Sequence, residues 1–197
     1  MKSIALFGGS FDPVHLGHVQ MVEYCLENFD FSRIDIIPNK VSPFKEKNIF
    51  TDAQRLLFLK KVFDFEKVCV NTLEIERESA SYTALTIRQY KKEFPETKLY
   101  MIIGADHIND LDQWHDFEFL QNNLSFIVFN REAYSTKALD NLKIDYQLVE
   151  DFDYLVSSTQ IKEKLQSINL SQSQSSSHFD GLIPDNIQGL LLKYYLK

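Results

Sequence analysis

The chain lacks most of what would tie it to a secreted, metal-bound or membrane class. It has 2 cysteines in 197 residues, Cys25 and Cys69. No CxxC pair and no Cys/His cluster occurs, so neither a disulfide framework nor a zinc site is expected. Each cysteine sits in an apolar pattern and reads as a buried free thiol in a reducing cytoplasm. No apolar run approaches the ~18 residues that span a bilayer. The opening segment has one charge and a short apolar stretch, then glycines and Asp12. It reads as a first strand rather than a signal peptide. Positive charge is also short, with 21 Lys plus Arg against 28 Asp plus Glu and a net charge of -7. That excludes a nucleic-acid coat or an anionic membrane partner, both of which need a basic face. It leaves room for a small anionic ligand in a locally positive pocket.

What remains is ordinary globular material, 44% hydrophobic and 25% charged, enough for one core at ~150 residues per domain. Strand-like and helix-like segments alternate. Ser3 to Phe7, Arg33 to Ile37, Lys67 to Leu73, Lys98 to Ile103, Ser125 to Asn130 and Ile144 to Val149 read as strands. Leu16 to Phe29, with Val19, Val22, Cys25 and Phe29 on one face, reads as a helix, as does Tyr82 to Phe94. Thr51-Asp52-Ala53-Gln54 and Ser157-Ser158-Thr159-Gln160 are capping boxes that open two more. The pattern predicts an α/β fold: a doubly wound, mostly parallel sheet with helices on both faces and a small helical C-terminal part. Residues 1–197 are read as one domain, with 167–182 a polar loop and 183–197 a docked final helix, too short to bury a core alone. Ligands of such sheets bind beyond the carboxyl ends of the strands. The places to inspect therefore follow Phe7, Pro38 and Ile103.

The strongest signal follows Phe7. Gly8-Gly9-Ser10-Phe11-Asp12-Pro13-Val14-His15-Leu16-Gly17-His18 puts a double glycine after a strand and two imidazoles three apart at a helix opening. The glycines are expected to permit a sharp turn and close backbone approach. Pro13 keeps Asp12 out of the helix. His15 and His18 share one face, and the amides of a helix N-terminus beside them suit a phosphate. Two surface histidines by chance is the bland reading, which this context makes remote.

This eleven-residue segment resembles the signature of the HxGH nucleotidyltransferase superfamily. Ser81-Tyr82-Thr83, Ile102-Ile103-Gly104-Ala105-Asp106 with Trp114, and Val156-Ser157-Ser158-Thr159-Gln160-Ile161-Lys162 resemble, in order, further segments of the bacterial nicotinate-nucleotide adenylyltransferases. The resemblance spans residues 1 to about 165. Lys162 stands where that family usually has Arg, and Phe44 where it has His before Lys45. His115 replaces a common Tyr after Trp114.

The resemblance implies a Rossmann-like fold and transfer of the adenylyl group of ATP to nicotinate mononucleotide in NAD biosynthesis, in the cytoplasm. It assigns Gly8, Gly9, Ser10, Phe11, His15, His18, Gly104, Asp106, Ser158, Thr159 and Lys162 to ATP, with His15, His18 and Lys162 catalytic. It places Lys45, Tyr82, Thr83, Trp114, His115 and Arg131 on the acceptor side. Mg²⁺ would ride on the triphosphate, with Asp106 near the metal or the adenosine. Two alternatives stay open: nicotinamide mononucleotide or another phosphorylated acceptor, and a non-catalytic nucleotide sensor. Oligomeric state is not readable, and a homo-oligomer is compatible with the chain.

Overall fold

The computed structural model describes residues 2–40, 48–130, 139, 141–152, 156–168 and 179–196. Its strands are β1 (Ser3–Gly9), β2 (Arg33–Pro38), β3 (Val68–Val70), β4 (Lys98–Gly104), β5 (Ser125–Phe129) and β6 (Asp145–Val149). They form one sheet in the order β3-β2-β1-β4-β5-β6. Every neighbouring pair is parallel, so the sheet is more uniform than the sequence required. The chain builds outward from β1 in one direction, then crosses to β4 and builds outward in the other. Adjacent β1 and β4 therefore send their connections to opposite faces, which opens a crevice at their carboxyl ends.

The helices are α1 (Leu16–Asn28), α2 (Asp52–Val62), α3 (Leu73–Glu76), α4 (Thr83–Glu93), α5 (Phe117–Asn123), α6 (Ser158–Ser167) and α7 (Asp185–Tyr195), with a 3₁₀ helix over Ala105–Gln113. Strand alternation sorts them into two layers. Ala5 and Phe7 of β1 face a core shared with Val22 and Cys25 of α1, Phe58 and Leu59 of α2, Ile161 of α6, and Ile187 and Leu191 of α7. Ile4 and Leu6 face the opposite core, with Ala84 and Ile87 of α4, Ile108 and Leu111 of the 3₁₀ helix, and Leu120 of α5. Each buried Val, Leu, Ile or Phe among them contributes roughly 2 kcal/mol. The last helix thus packs into the same core as the first two, and Asn186 Nδ2 adds a bond to the Lys61 carbonyl at 2.7 Å.

Local signals were good guides where a side chain caps the backbone. Thr51 Oγ1 accepts from Gln54 N–H while Gln54 Oε1 accepts from Thr51 N–H, at 3.3 and 2.8 Å. Ser157 Oγ likewise accepts from Gln160 N–H at 3.2 Å and opens α6. Two expectations fail in one place. The Lys67–Leu73 strand contracts to Val68–Val70 before the short α3 begins. Cys69, expected inside, is exposed. β3 is the sheet edge, and its alternation turns Val68 inward and Cys69 outward. Cys25 is buried, and burial pushes its thiol up to about 12. The 167–182 loop falls largely on residues 169–178, outside the described residues.

One buried polar network fixes α4 against the sheet. Tyr90 Oη donates to Asp35 Oδ2 of β2 at 2.6 Å and accepts from Asn71 Nδ2 at 2.8 Å. Arg33 Nε reaches the same Asp35 oxygen at 3.0 Å. Burial first, and then the hydrogen bond to Asp35, push the Tyr90 phenol above its ordinary range. The segment that leads into α4, Ser81-Tyr82 with Thr83 as its first helical residue, lies at the crevice beside this attachment.

Candidate active site

The crevice at the β1/β4 switch is a cleft of about 1000 Å³, open mouth included. All three strand exits picked from the sequence border it: Gly8 and Gly9 at the end of β1 with Ser10 beyond them, Asn39 after β2, and Gly104 at the end of β4. Across from them stand Ser81, Tyr82, Thr83, Trp114 and His115.

The glycines act differently from the turn expected of them. Gly8 and Gly9 are the last residues of β1, and neither has positive φ. A Cβ on Gly8 would lie 3.1 Å from Met101 Cε, and one on Gly9 would lie 3.3 Å from the Phe11 ring. They allow close packing of the strand end. The left-handed residue is Phe11, at φ 44°, a conformation that costs a non-glycine residue about 1–2 kcal/mol. The reversal comes there, and Phe11 is buried beneath it.

His15 is the N-cap of α1 and His18 its third helical residue. The two rings stack, with centroids 3.6 Å apart. His18 Nδ1 accepts the His15 backbone N–H at 3.2 Å. A nitrogen that accepts holds no proton, so the neutral His18 ring carries its proton on Nε2 and offers a donor there. The ring rests against Phe11 and Phe7, at 4.9 and 5.7 Å between centroids, and Phe7 itself borders the cleft.

The start of α6 comes to the same place. Ser158 Oγ donates to the Pro13 carbonyl at 3.1 Å. Lys162 Nζ pairs with Asp12 Oδ2 at 2.7 Å. Asp12 is wholly buried, and its two oxygens also accept the Ile49 and Phe50 amides, each at 2.9 Å. Ser158 and Lys162 are therefore anchored on the turn that presents the histidines, and the exposed Thr159 lies between them in sequence. Distant helix starts converge as the motifs required. The charge on Lys162, assigned to phosphate alone, is shared with Asp12.

On the other wall, Tyr82 caps α4 and its ring lies 4.5 Å from that of His115. The edge of His107 meets Trp114 at 5.8 Å. Asp106 is the second residue of the 3₁₀ helix, half-buried, with Oδ2 3.8 Å from His107 Nε2. Lys40, a residue of the loop after β2, is held by its own contacts, with Nζ on the Arg77 carbonyl at 3.2 Å. Lys45 and Arg131 lie outside the described residues.

Sequence reading missed three bordering or supporting groups. His107 lines the cleft beside Trp114. Glu74 lines it from α3, buried, and accepts from Thr86 Oγ1 at 2.6 Å. Asn39 lines it with an Oδ1 that is buried and unpartnered. A fourth, Arg55, is fully buried behind the first wall. His107, Glu74 and Arg55 belong to no local motif and are brought to or behind the cleft by tertiary packing, whereas Asn39 sits at the strand exit after Pro38 that the sequence singled out.

Comparison with known proteins agrees with this geometry. Residues 6–164 match the cytidylyltransferase-like family. The probable nicotinate-nucleotide adenylyltransferase of Aliarcobacter butzleri is 36% identical over 82% of this chain and 87% of its own length. That of Fusobacterium nucleatum is 31% identical over 98% of both chains. Among solved structures, Plasmodium falciparum nicotinic acid mononucleotide adenylyltransferase complexed with NaAD superposes with a TM-score of 0.79 over 100% of both chains, at 21% identity. That likeness shows the shared fold. Identity of this extent over most of both chains places the protein in the cytidylyltransferase-like family, among its nicotinate-nucleotide adenylyltransferases.

Proposed function

We propose that the protein transfers the adenylyl group of ATP to nicotinate mononucleotide, giving nicotinate adenine dinucleotide and pyrophosphate in NAD biosynthesis. The observation that carries this is one cleft with two unlike walls. One wall offers the strand-end backbone of Gly8, Gly9 and Ser10, and the adjoining turn carries the imidazoles, with His18 against Phe7, and the Lys162 ammonium on Asp12, a set suited to phosphates. The other offers aromatic rings suited to a pyridine. The activity named for the relatives joins a nucleotide to a pyridine mononucleotide, which needs both.

In the reaction an oxygen of the acceptor phosphate bonds to the α-phosphorus of ATP, and the bond from that phosphorus to the β-phosphate oxygen breaks. The attacking phosphate is already ionised at neutral pH, so no general base is required. The protein's work is alignment and stabilisation of charge on phosphate oxygens. We assign His18 Nε2–H to the α-phosphate, with His15 stacked beside it. Gly8, Gly9, Ser10 and Phe11 give the phosphates close backbone approach. Ser158, Thr159 and Lys162 serve the β- and γ-phosphates from the start of α6. Gly104 and Asp106 fall to the adenosine side.

For the acceptor, the Trp114 face suits the pyridine ring. Thr83 and the first amides of α4 suit its carboxylate. Tyr82 and His115 flank them, and Lys45 and Arg131 are assigned to acceptor and nucleotide charge. Among the described residues no cluster of three or more His, Cys, Asp or Glu side chains could hold a metal ion, so a Mg²⁺ ion would be held chiefly by the triphosphate oxygens. Asp12 is committed to two amides and Lys162, which leaves Asp106 as the one assigned carboxylate near enough in sequence to a cleft residue, Gly104. Mg²⁺ bound there, with Asp106 as its protein carboxylate, would supply charge neutralisation for the departing pyrophosphate.

No helix among the described residues is long and apolar enough to cross a membrane. We place the enzyme in the cytoplasm, as a single domain. The test is pyrophosphate release from ATP with nicotinate mononucleotide, nicotinamide mononucleotide, phosphopantetheine or choline phosphate. Turnover fastest with the first supports the reading. Preference for another acceptor renames the substrate, and silence with all four makes the protein a sensor.

A further inference from the structure

We propose that Arg55 is a positioning residue that holds the two walls of the cleft at the separation the transfer needs. Arg55 lies in the first turn of α2 and is 0% exposed. Its Nη1 donates to the Ser10 carbonyl at 2.5 Å. Its Nη2 donates to the Asn39 carbonyl at 2.6 Å and to Asp52 Oδ1 at 2.7 Å. These carbonyls belong to the first loop residues beyond two adjacent strand ends, Gly9 and Pro38. One planar guanidinium thus staples the exit of β1 to the exit of β2, which a point-charge ammonium cannot do with the same geometry.

The staple continues across the cleft. In a trans peptide the carbonyl and the following N–H point in opposite directions. The Asn39 carbonyl is fixed on Arg55, and the Lys40 N–H on the other side of that peptide donates to Ser81 Oγ at 3.1 Å. Ser81 immediately precedes Tyr82 and Thr83, the acceptor wall. On the other branch, the Ser10 carbonyl fixed on Arg55 precedes the left-handed Phe11, against whose ring His18 rests. One buried side chain therefore bears on the phosphate wall through Ser10 and on the acceptor wall through Asn39, Lys40 and Ser81. Each substrate binds its own wall, while Arg55 sets the relation between them. Its loss should then appear in kcat more than in either KM.

This rests on the two-wall reading above, so the wild type is the first control. Absence of pyrophosphate release by the wild type with ATP and nicotinate mononucleotide defeats that reading. Wild-type turnover leaves Arg55 to be judged alone. Steady-state kinetics are then measured for Arg55→Lys, with kcat expressed per folded molecule from a melting curve taken alongside. The expected result is a fall in kcat of about 100-fold, with each KM within about threefold of wild type. A fall of less than about tenfold, or a loss carried by KM alone, overturns the proposal. If Arg55→Lys does not fold, Ser81→Ala and Ser81→Thr test the far end. The alanine variant should lower kcat about fivefold, the worth of one hydrogen bond, at unchanged acceptor KM, and threonine should restore it. An unchanged kcat in Ser81→Ala, a rise in acceptor KM alone, or no recovery with threonine overturns it.

Discussion

The two walls of the cleft are built by different physics. On the phosphate side, the supporting polar groups are buried: Asp12 and Arg55 are fully enclosed and His15 is 2% exposed, while Thr159 and Lys162 reach solvent. Direct hydrogen bonds at 2.5 to 3.2 Å hold them. On the acceptor side, Tyr82, Thr83 and Trp114 are half-buried and His115 is exposed. Ring contacts at 4.5 and 5.8 Å join that side together. A triphosphate presents charge in a fixed pattern, so a site for it is best built before it arrives. A pyridine ring presents a flat apolar face, which a platform can close on after arrival. The difference teaches which wall should govern rate and which should govern affinity.

The largest expected effect breaks the phosphate wall at its donor. His18→Ala removes the Nε2–H and should lower kcat by about 1000-fold, the upper range for one preorganised donor. The far-ultraviolet circular dichroism spectrum should be unchanged. Turnover near wild type would remove His18 from the mechanism and with it the assignment of this wall. The next effect falls on stability. Asp12→Ala leaves the Ile49 and Phe50 amides and Lys162 without their shared carboxylate, a change worth about 3 kcal/mol. Urea denaturation should show that loss in midpoint with little change in slope. A shift below about 1 kcal/mol would mean that the paired phosphate wall is no more rigid than its neighbour.

The sequence made the phosphate wall legible in its motif and opaque in its supports. His15 and His18 are three residues apart, and helix geometry alone puts them on one face. Asp12 stood out only as the residue before a proline. Its partners, Ile49, Phe50 and Lys162, are 37, 38 and 150 positions away, and no local pattern reports them. Arg55 did leave a trace. The buried face of α2 contains Arg55, Phe58, Leu59 and Val62. Arginine there occupies the first place of an i, i+3, i+4, i+7 stripe, and a cation in such a stripe calls for buried acceptors. The glycine pair was ambiguous between a turn and a close approach, and only the Met101 and Phe11 contacts decide it. Cys69 was misplaced because an edge strand of three residues hides one face in two.

A smaller effect separates the walls directly. Trp114→Ala removes the platform and should raise KM for nicotinate mononucleotide about tenfold, roughly 1.4 kcal/mol, within the range for an aromatic contact. KM for ATP should move far less, and kcat should stay within about threefold. If ATP suffers more than the acceptor, Trp114 belongs to the other substrate and the comparison of walls is drawn in the wrong place.

The smallest effect tests how tightly the phosphate wall is set. Lys162 Nζ lies 2.7 Å from Asp12 Oδ2, and its side chain is 30% exposed. It therefore has a buried partner behind it and solvent in front, where a phosphate would come. Arginine at this position keeps the charge and adds a planar fork. One arm can hold Asp12 while another faces the β- or γ-phosphate, so Lys162→Arg should change kcat and KM for ATP by no more than about threefold. Lys162→Ala should do worse on both counts, because it strips the ligand-facing charge and leaves Asp12 buried with its amide donors alone. The informative result is a loss above about tenfold in the arginine variant with an unchanged melting temperature. Charge would then be present and misplaced, and the wall's geometry, rather than its charge, would be what the reaction depends on.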